Sequence, residues 1–147
     1  MINQLVFTVE IEAKSETIWN ALWDDQAYRQ WTAVFFEGSY AVSDGWIEGS
    51  IVHFLAPGEN GIYSRIEKHS PNRYIEFKHI GNVINGEEQP LDEETRKWSG
   101  ATESYQLIQG ERSYTLKVEI DVMDEHLESM SDAFPKALEV IKNNCIG

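Results

Sequence analysis

The chain has 147 residues, with 25 Asp and Glu against 12 Lys and Arg and a formal net charge of −13. That length fits one domain, 1–147, whose single hydrophobic core needs no disulfide or metal staple. The charge repels nucleic acid and anionic membrane at long range and no basic cluster offsets it, while the lone cysteine, Cys145, suits a reducing compartment, so a cytoplasmic location is expected.

The opening "MINQLVFTVEIE" has no basic segment leading into an apolar one, so no signal peptide is expected. No apolar run approaches the ~18 residues of a membrane span. Residues 5–13 alternate, with Leu5, Phe7, Val9 and Ile11 on one face and Val6, Thr8, Glu10 and Glu12 on the other, the pattern of a half-buried strand. Ser15 then suits an N-cap, with Glu16 in the first turn of a helix whose apolar stripe is Ile18, Ala21 and Leu22. A second short helix restarts at "DDQ" (24–26), capped by Asp24 or Asp25, and runs to about Trp31. Trp19, Trp23 and Trp31, three of the five tryptophans, fall in this one segment.

Beyond it the pattern is mostly strand: 36–43, 50–56, 61–70 and 73–84, divided by turns at Gly45, "PGENG" and "PN" (71–72). A polar stretch, 85–100, reads as a long excursion or a short acidic helix. Strands 101–109 and 112–122 form a hairpin around Gly110 and Glu111. In 124–144 the period changes: Leu127, Met130, Phe134, Leu138 and Ile141 recur at helical spacing, with Pro135 expected to kink the helix or to begin a second piece. The order gives an α+β domain in which a curved antiparallel sheet grips the one helix long enough to cover it. Space between sheet and helix is the natural pocket.

This order, with Ile18, Trp19, Ala21, Leu22 and Trp31, resembles the START-like, or SRPBCC, superfamily and its helix-grip fold. Within it the chain is most similar to the branch named for activators of a heat-shock chaperone ATPase. "SRIEKHSPNRYIEFKHIG" (64–81) resembles that branch's strand–Pro–strand hairpin. Residues 97–107 and 134–142 resemble a subgroup of mostly uncharacterised bacterial proteins. The resemblance covers nearly the whole chain, and implies the fold: one strand, two short helices, about six further strands and a long C-terminal helix. It leaves function open, because the superfamily includes lipid carriers, hormone receptors and polyketide cyclases. By the same resemblance, Trp19 and Trp31 wedge the short helices against the open end of the sheet. Trp23 stands where the family usually has a small or polar residue, so packing and a place at the pocket mouth are both open to it.

Charge decides which strand faces turn inward. Burying Glu76 and Lys78 would be costly, so Ile75, Phe77 and His79 face the helix, as do Glu103, Tyr105 and Leu107, then Tyr114, Leu116, Val118 and Ile120, and Ile62, Ser64 and Ile66. His79 and Glu103 break the apolar rule. If Ile75 opposes Leu107, they oppose each other, as a polar handle for a ligand, an acid–base pair or a satisfied cross-strand pair. A slip of two residues would keep the facing and break that pair. Phe54, Phe77, Trp98, Tyr105, Met130 and Phe134 complete the expected cavity lining, Trp98 as a lid. The histidines His53, His69, His79 and His126 are scattered without metal-ligand spacing, with His69 and His126 expected to be exposed and His53 free to face either way. No nucleophile with a base and orienter, no phosphate loop and no cofactor motif stands out, so no catalytic residue, metal or cofactor is expected.

Three functions follow, in this order. The first is a module binding a small apolar or amphipathic molecule. The second is a protein-interaction module, by analogy with the chaperone activators, acting on a partner or as a homodimer. Those activators usually pair this domain with another, which the present sequence does not show. The third is an enzyme of the cyclase or hydrolase type.

Overall fold

The computed structural model describes residues 2–146. Its elements are β1 (Ile2–Ile11), α1 (Ser15–Trp23), α2 (Asp25–Thr32), β2 (Tyr40–Ser43), β3 (Ile51–Ala56), β4 (Asn60–Ser70), β5 (Tyr74–Ile84), β6 (Glu87–Glu88), α3 (Glu93–Arg96), β7 (Thr102–Gln109), β8 (Tyr114–Met123) and α4 (Leu127–Ile146). A 3₁₀ turn, Asp124–His126, leads into α4. The strands form one antiparallel sheet in the order β1-β8-β7-β5-β4-β3-β2, with β6 hooked onto β5. This is the helix-grip architecture expected from the sequence.

The alternation read along β1, β5 and β8 is the alternation of burial, whereas on β7 it breaks at Ser104, which the sequence places on the outer face and the structure buries. Leu116, Val118 and Ile120 are buried on β8, Ile75, Phe77 and His79 on β5, and Ser64 and Ile66 on β4. On α4 the apolar stripe turns inward through Phe134, Ala137, Leu138 and Ile141. That helix packs over β1 and, more lightly, β8, flanked by α1 and α2. Phe134 stacks on Phe7 of β1 at 5.0 Å and meets Phe35 edge-on at 4.8 Å.

Several local readings change. The strand expected over 36–43 shrinks to β2, because Phe35 and Phe36 turn back to donate their amides to the Thr32 carbonyl at the end of α2, at 2.9 and 3.1 Å. In the 85–100 stretch, Asn85 and Gly86 take positive φ, 53° and 82°. Ile84 pairs with Glu87 across them, a two-residue hairpin turn of the kind Asn-Gly favours. A short helix does follow: α3 is capped by Asp92, whose carboxylate accepts from the Thr95 amide at 2.8 Å and its hydroxyl at 2.7 Å. Ser15 opens α1 as its first helical residue; the cap position is Lys14, with no side-chain capping bond. Pro135 does not begin a second piece, since α4 runs through it. Both Pro135 and Ser131 are exposed, so the Ser131 carbonyl that loses its amide donor faces water. His69 is half-buried on β4, its ring stacked on Trp19 at 6.3 Å, and not solvent-exposed as the turn suggested.

The tryptophan segment is a packing device. Trp19 and Trp31 are 7% and 2% exposed. The Trp31 indole N–H donates to the Leu22 carbonyl at 2.9 Å. That carbonyl belongs to the last turn of α1 and has no partner within its helix, so α2 caps α1 through a side chain. Trp23 is half-buried within a ring cluster, its centroid 4.9 Å from Tyr105, 5.4 Å from Phe77 and 6.0 Å from Trp46. It is packing, not a pocket mouth. Its buried Nε1 has no hydrogen-bond acceptor among the described residues.

Replacing Trp19 by Ala should lower stability by about 3–5 kcal/mol, the usual cost of truncating a buried indole. Trp31→Phe keeps most of the ring and strands the Leu22 carbonyl, for an expected loss of about 1–3 kcal/mol. Urea denaturation measures both, and an unchanged midpoint for either variant would contradict the role given to it.

Candidate functional site

Two cavities adjoin between the sheet and α4. One has a volume of about 490 Å3 and is walled by Tyr28, Trp31, Phe35, Phe54, Tyr105 and Phe134, with exposed Phe36 and Asn60 and half-buried Ser39 at its rim. The other, about 420 Å3, lies towards Trp98, Ile120, Val122 and His126. Ile62, His79, Glu103, Met130 and Phe134 line both. The polar pair read from the sequence therefore stands at the junction of the two spaces.

Its geometry depends on register. β5 and β7 pair as Ile75↔Tyr105 and Phe77↔Glu103, two residues away from the expected alignment. His79 exchanges backbone hydrogen bonds with the strand one step further on, its amide donating to the Ala101 carbonyl and its carbonyl accepting from the Gly100 amide, each at 2.8 Å. The direct opposition of His79 and Glu103 is thus corrected to a diagonal one. The pair survives because diagonal neighbours on a twisted sheet stay within reach of long side chains. His79 Nε2 lies 3.3 Å from Glu103 Oε1.

A bulge completes the arrangement. Tyr63 opposes Gly81 but Ser64 opposes His79, so Ile80 is the extra residue on β5. Bulges re-aim side chains at such places. Here one brings the Ser64 hydroxyl to 2.6 Å from His79 Nδ1. At the other end the Tyr105 hydroxyl donates a short hydrogen bond to Glu103 Oε2. Ser64, His79, Glu103 and Tyr105 form one continuous hydrogen-bonded chain drawn from β4, β5 and β7.

The electrostatics follow from this chain. Burial acts to raise the Glu103 carboxyl, but the hydrogen bond from His79, the charge that imidazole bears when protonated, and the Tyr105 hydrogen bond outweigh it, leaving the group below the ordinary carboxylate value. Burial first, then the Glu103 charge and the hydrogen bond to it, push the Tyr105 phenol well above its ordinary value. Tyr28 is raised as well, by burial and then by Glu103. The two phenols stay neutral beside the carboxylate.

Ser, His and Glu are also the groups of a hydrolytic triad. The arrangement differs from a working one in access: Ser64 is wholly buried and lines neither cavity, whereas His79 and Glu103 do. A substrate in either space meets the imidazole edge and the carboxylate, not the hydroxyl. Ser64 positions the ring.

Of the other residues expected here, Phe54, Tyr105, Met130 and Phe134 line the first cavity, and Trp98, half-buried, lines the second. Phe77 lines neither; it is fully buried behind Phe54, whose ring it meets at 5.1 Å. His53 faces away from the cavities and pairs with Glu88 on β6 at 2.8 Å. Among the described residues no group of three or more His, Cys, Asp or Glu side chains is placed to hold a metal ion. None of the described helices is long and apolar enough to cross a membrane. Sequence reasoning missed the link from Ser64 to His79, for which the sign was a lone hydroxyl on the inward face of β4. It also missed Tyr28 and Trp31 as cavity wall.

No protein-family model matches the sequence, and neither does any curated protein. Solved structures do match. The Aha1 dimer from Colwellia psychrerythraea aligns with a TM-score of 0.69 and 20% identity, over 97% of this chain and 96% of that one. CalU16 from Micromonospora echinospora aligns at 0.65 and 15% identity, over 96% of this chain and 73% of its own. A Chromobacterium violaceum protein gives 0.65 and 14% identity over 97% of both chains. The chain has the START-like helix-grip fold. At these identities the likeness is one of fold, the same fold that the tryptophan segment and the strand order implied.

The depressed Glu103 carboxyl has a consequence in acid. Its charged form contributes stability above the ordinary carboxylate pKa of about 4.3, and that contribution is lost as pH falls through the lower folded value. The stability gap between the wild type and Glu103→Gln should therefore narrow as pH falls below ~4. Denaturation curves across that range check this; a gap independent of pH would mean the carboxylate is not held as described.

Proposed function

We propose that this domain binds a small amphipathic molecule between the sheet and α4. The observation that carries the reading is the junction of His79 and Glu103 on two otherwise largely apolar spaces of about 490 and 420 Å3. Cavities of this size, apolar with a few convergent polar groups, are the usual form of a small-molecule site. Tyr28, Trp31, Phe54, Tyr105, Met130 and Phe134 supply the apolar wall, Trp98 the wall of the second space, and His79 and Glu103 the polar handle. Phe77 supports Phe54 from behind. In this reading Glu103 and His79 orient the ligand, and Ser64, which lines neither space, stays out of its reach.

Self-association is a second reading. The sheet ends on β1 and β2, and each edge strand carries an exposed valine, Val6 and Val42. The structural neighbour from C. psychrerythraea is a dimer. Unpaired strand edges are templates for joining a second chain.

A thermal-shift screen against amphipathic small molecules and lipids tests the first reading. A ligand confined to the folded state stabilises it by about 2.7 kcal/mol at a hundredfold excess over its dissociation constant. The expected result is a set of hits that also change the intrinsic tryptophan fluorescence and weaken in Met130→Trp, whose larger ring intrudes on both spaces. A broad screen without a hit would speak against the cavity, and sedimentation of a concentration-dependent dimer would then favour the second reading.

A further inference from the structure

The charge inside the cavities is one-sided. None of the 12 Lys and Arg lines either space, whereas Glu103 lines both and Asp121 and Glu125 line the second. Among the described residues the basic side chain set against Glu103 is His79, which Ser64 engages on its other side. Ser64 is wholly buried, and His79 Nδ1 is the partner its hydroxyl has among the described residues. A buried hydroxyl without an acceptor is costly, so Ser64 donates to Nδ1. The other ring nitrogen, Nε2, lies 3.3 Å from Glu103 Oε1. Tyr105 donates to the other carboxylate oxygen. Glu103 thus has the His79 imidazole and the Tyr105 hydroxyl as its partners, and no Lys or Arg side chain lines the spaces it faces.

A carboxylate in this setting meets less water screening than one on the surface, so its field reaches across the cavity. Around it stand the rings of Tyr28, Trp31, Phe35, Phe54 and Tyr105. Aromatic faces attract cations through their quadrupoles, and desolvation strengthens the attraction. The formal net charge of −13 draws cations towards the mouth and repels anions. Each of these terms selects the same ligand. We infer that the cavity takes an amphipathic cation, an amine with an aromatic or branched apolar body, whose ammonium group donates to Glu103 while its body lies against the aromatic wall. This inference rests on the cavity-binding reading above and adds to it the sign of the ligand's charge.

Three probes with one bicyclic body test it: naphthylmethylamine, naphthylmethanol and naphthoate, ending in an ammonium, a hydroxyl and a carboxylate. Calorimetry on the wild type should rank the amine at least about tenfold tighter than the alcohol, with the acid weakest, because a hydrogen bond between charged partners exceeds a neutral one by that order. In Glu103→Gln the amine's advantage should collapse to about twofold or less while the alcohol still binds, which shows the cavity intact. Equal affinities, or an acid that binds tightest, would overturn the cation inference and leave the cavity reading standing. No binding by any of the three would overturn both. If Glu103→Gln does not fold, the NMR resonance of the Glu103 carboxyl carbon in the wild type decides instead. It should move on titration with the amine, and an unmoved resonance overturns the assignment.

Discussion

The seat of Phe134 on Phe7 sets the shape of everything else. Stacked at 5.0 Å over a strand at one end of the sheet, it commits α4 to the β1 and β8 side. The helix backbone then approaches β1 and β8 more closely than it does β3, β4 and β5. Phe54 and Ile62 end at space, roofed by α2 and the turns that follow it. A sealed apolar void of about 490 Å3 would cost on the order of 12 kcal/mol at ~24 cal/mol per Å3, as much as a domain's whole stability. The fold tolerates the space because its rim is open at Phe36 and Ser39 and because a polar chain crosses its floor, so that water or a ligand can fill it.

Holding that chain in place takes two irregularities that act together. The register of β5 on β7 puts Phe77 opposite Glu103 and leaves His79 beside Ala101, which turns a direct pair into a diagonal. The bulge at Ile80 moves β4 by one residue against β5 and delivers Ser64 to the far nitrogen of the same ring. Without the bulge the serine would sit one step away, and the imidazole would have a partner on one side only. Beyond the bulge, the backbone is tied down from outside: Ser99 donates to the Ile80 carbonyl at 2.7 Å, fixing the extra residue to the end of the α3 excursion. The excursion that reads as a polar loop in the sequence is thus part of the scaffold of the polar chain.

The sequence shows the fold plainly and the site only in part, and particular residues explain why. Alternation such as that of 73–79 marks which face is buried, since Glu76 and Lys78 cannot share it with Phe77 at acceptable cost. That logic places His79, Glu103, Ser64 and Tyr105 on the inner face. It cannot fix which of them meet, because register between β5 and β7 is set across a long connection and not by a tight turn. A bulge has no mark in the sequence here; Ile80 is an ordinary strand residue. Asn85-Gly86 is the opposite case, a turn whose residues announce it. Tyr28 and Trp31 read as helix-packing residues and are so, yet the same rings form the cavity wall, a double use that periodicity does not distinguish.

The polar chain is also an energetic statement. Well-packed apolar residues in place of a buried polar or charged set are often as stabilising or more so, whereas a set with one partner missing is worse than either. Four residues from three strands, with every hydrogen-bonding end met, is therefore not what stability alone would select. Its layout also says which members can be reached. Ser64 is sealed behind the ring it orients, Tyr105 is held neutral by burial and by the charge it donates to, and the Glu103 carboxylate, with the His79 ring beside it, faces both spaces. A chain built to activate a nucleophile would end with its hydroxyl in the cavity. This one ends with a carboxylate there, and everything behind it serves to keep that carboxylate charged and fixed.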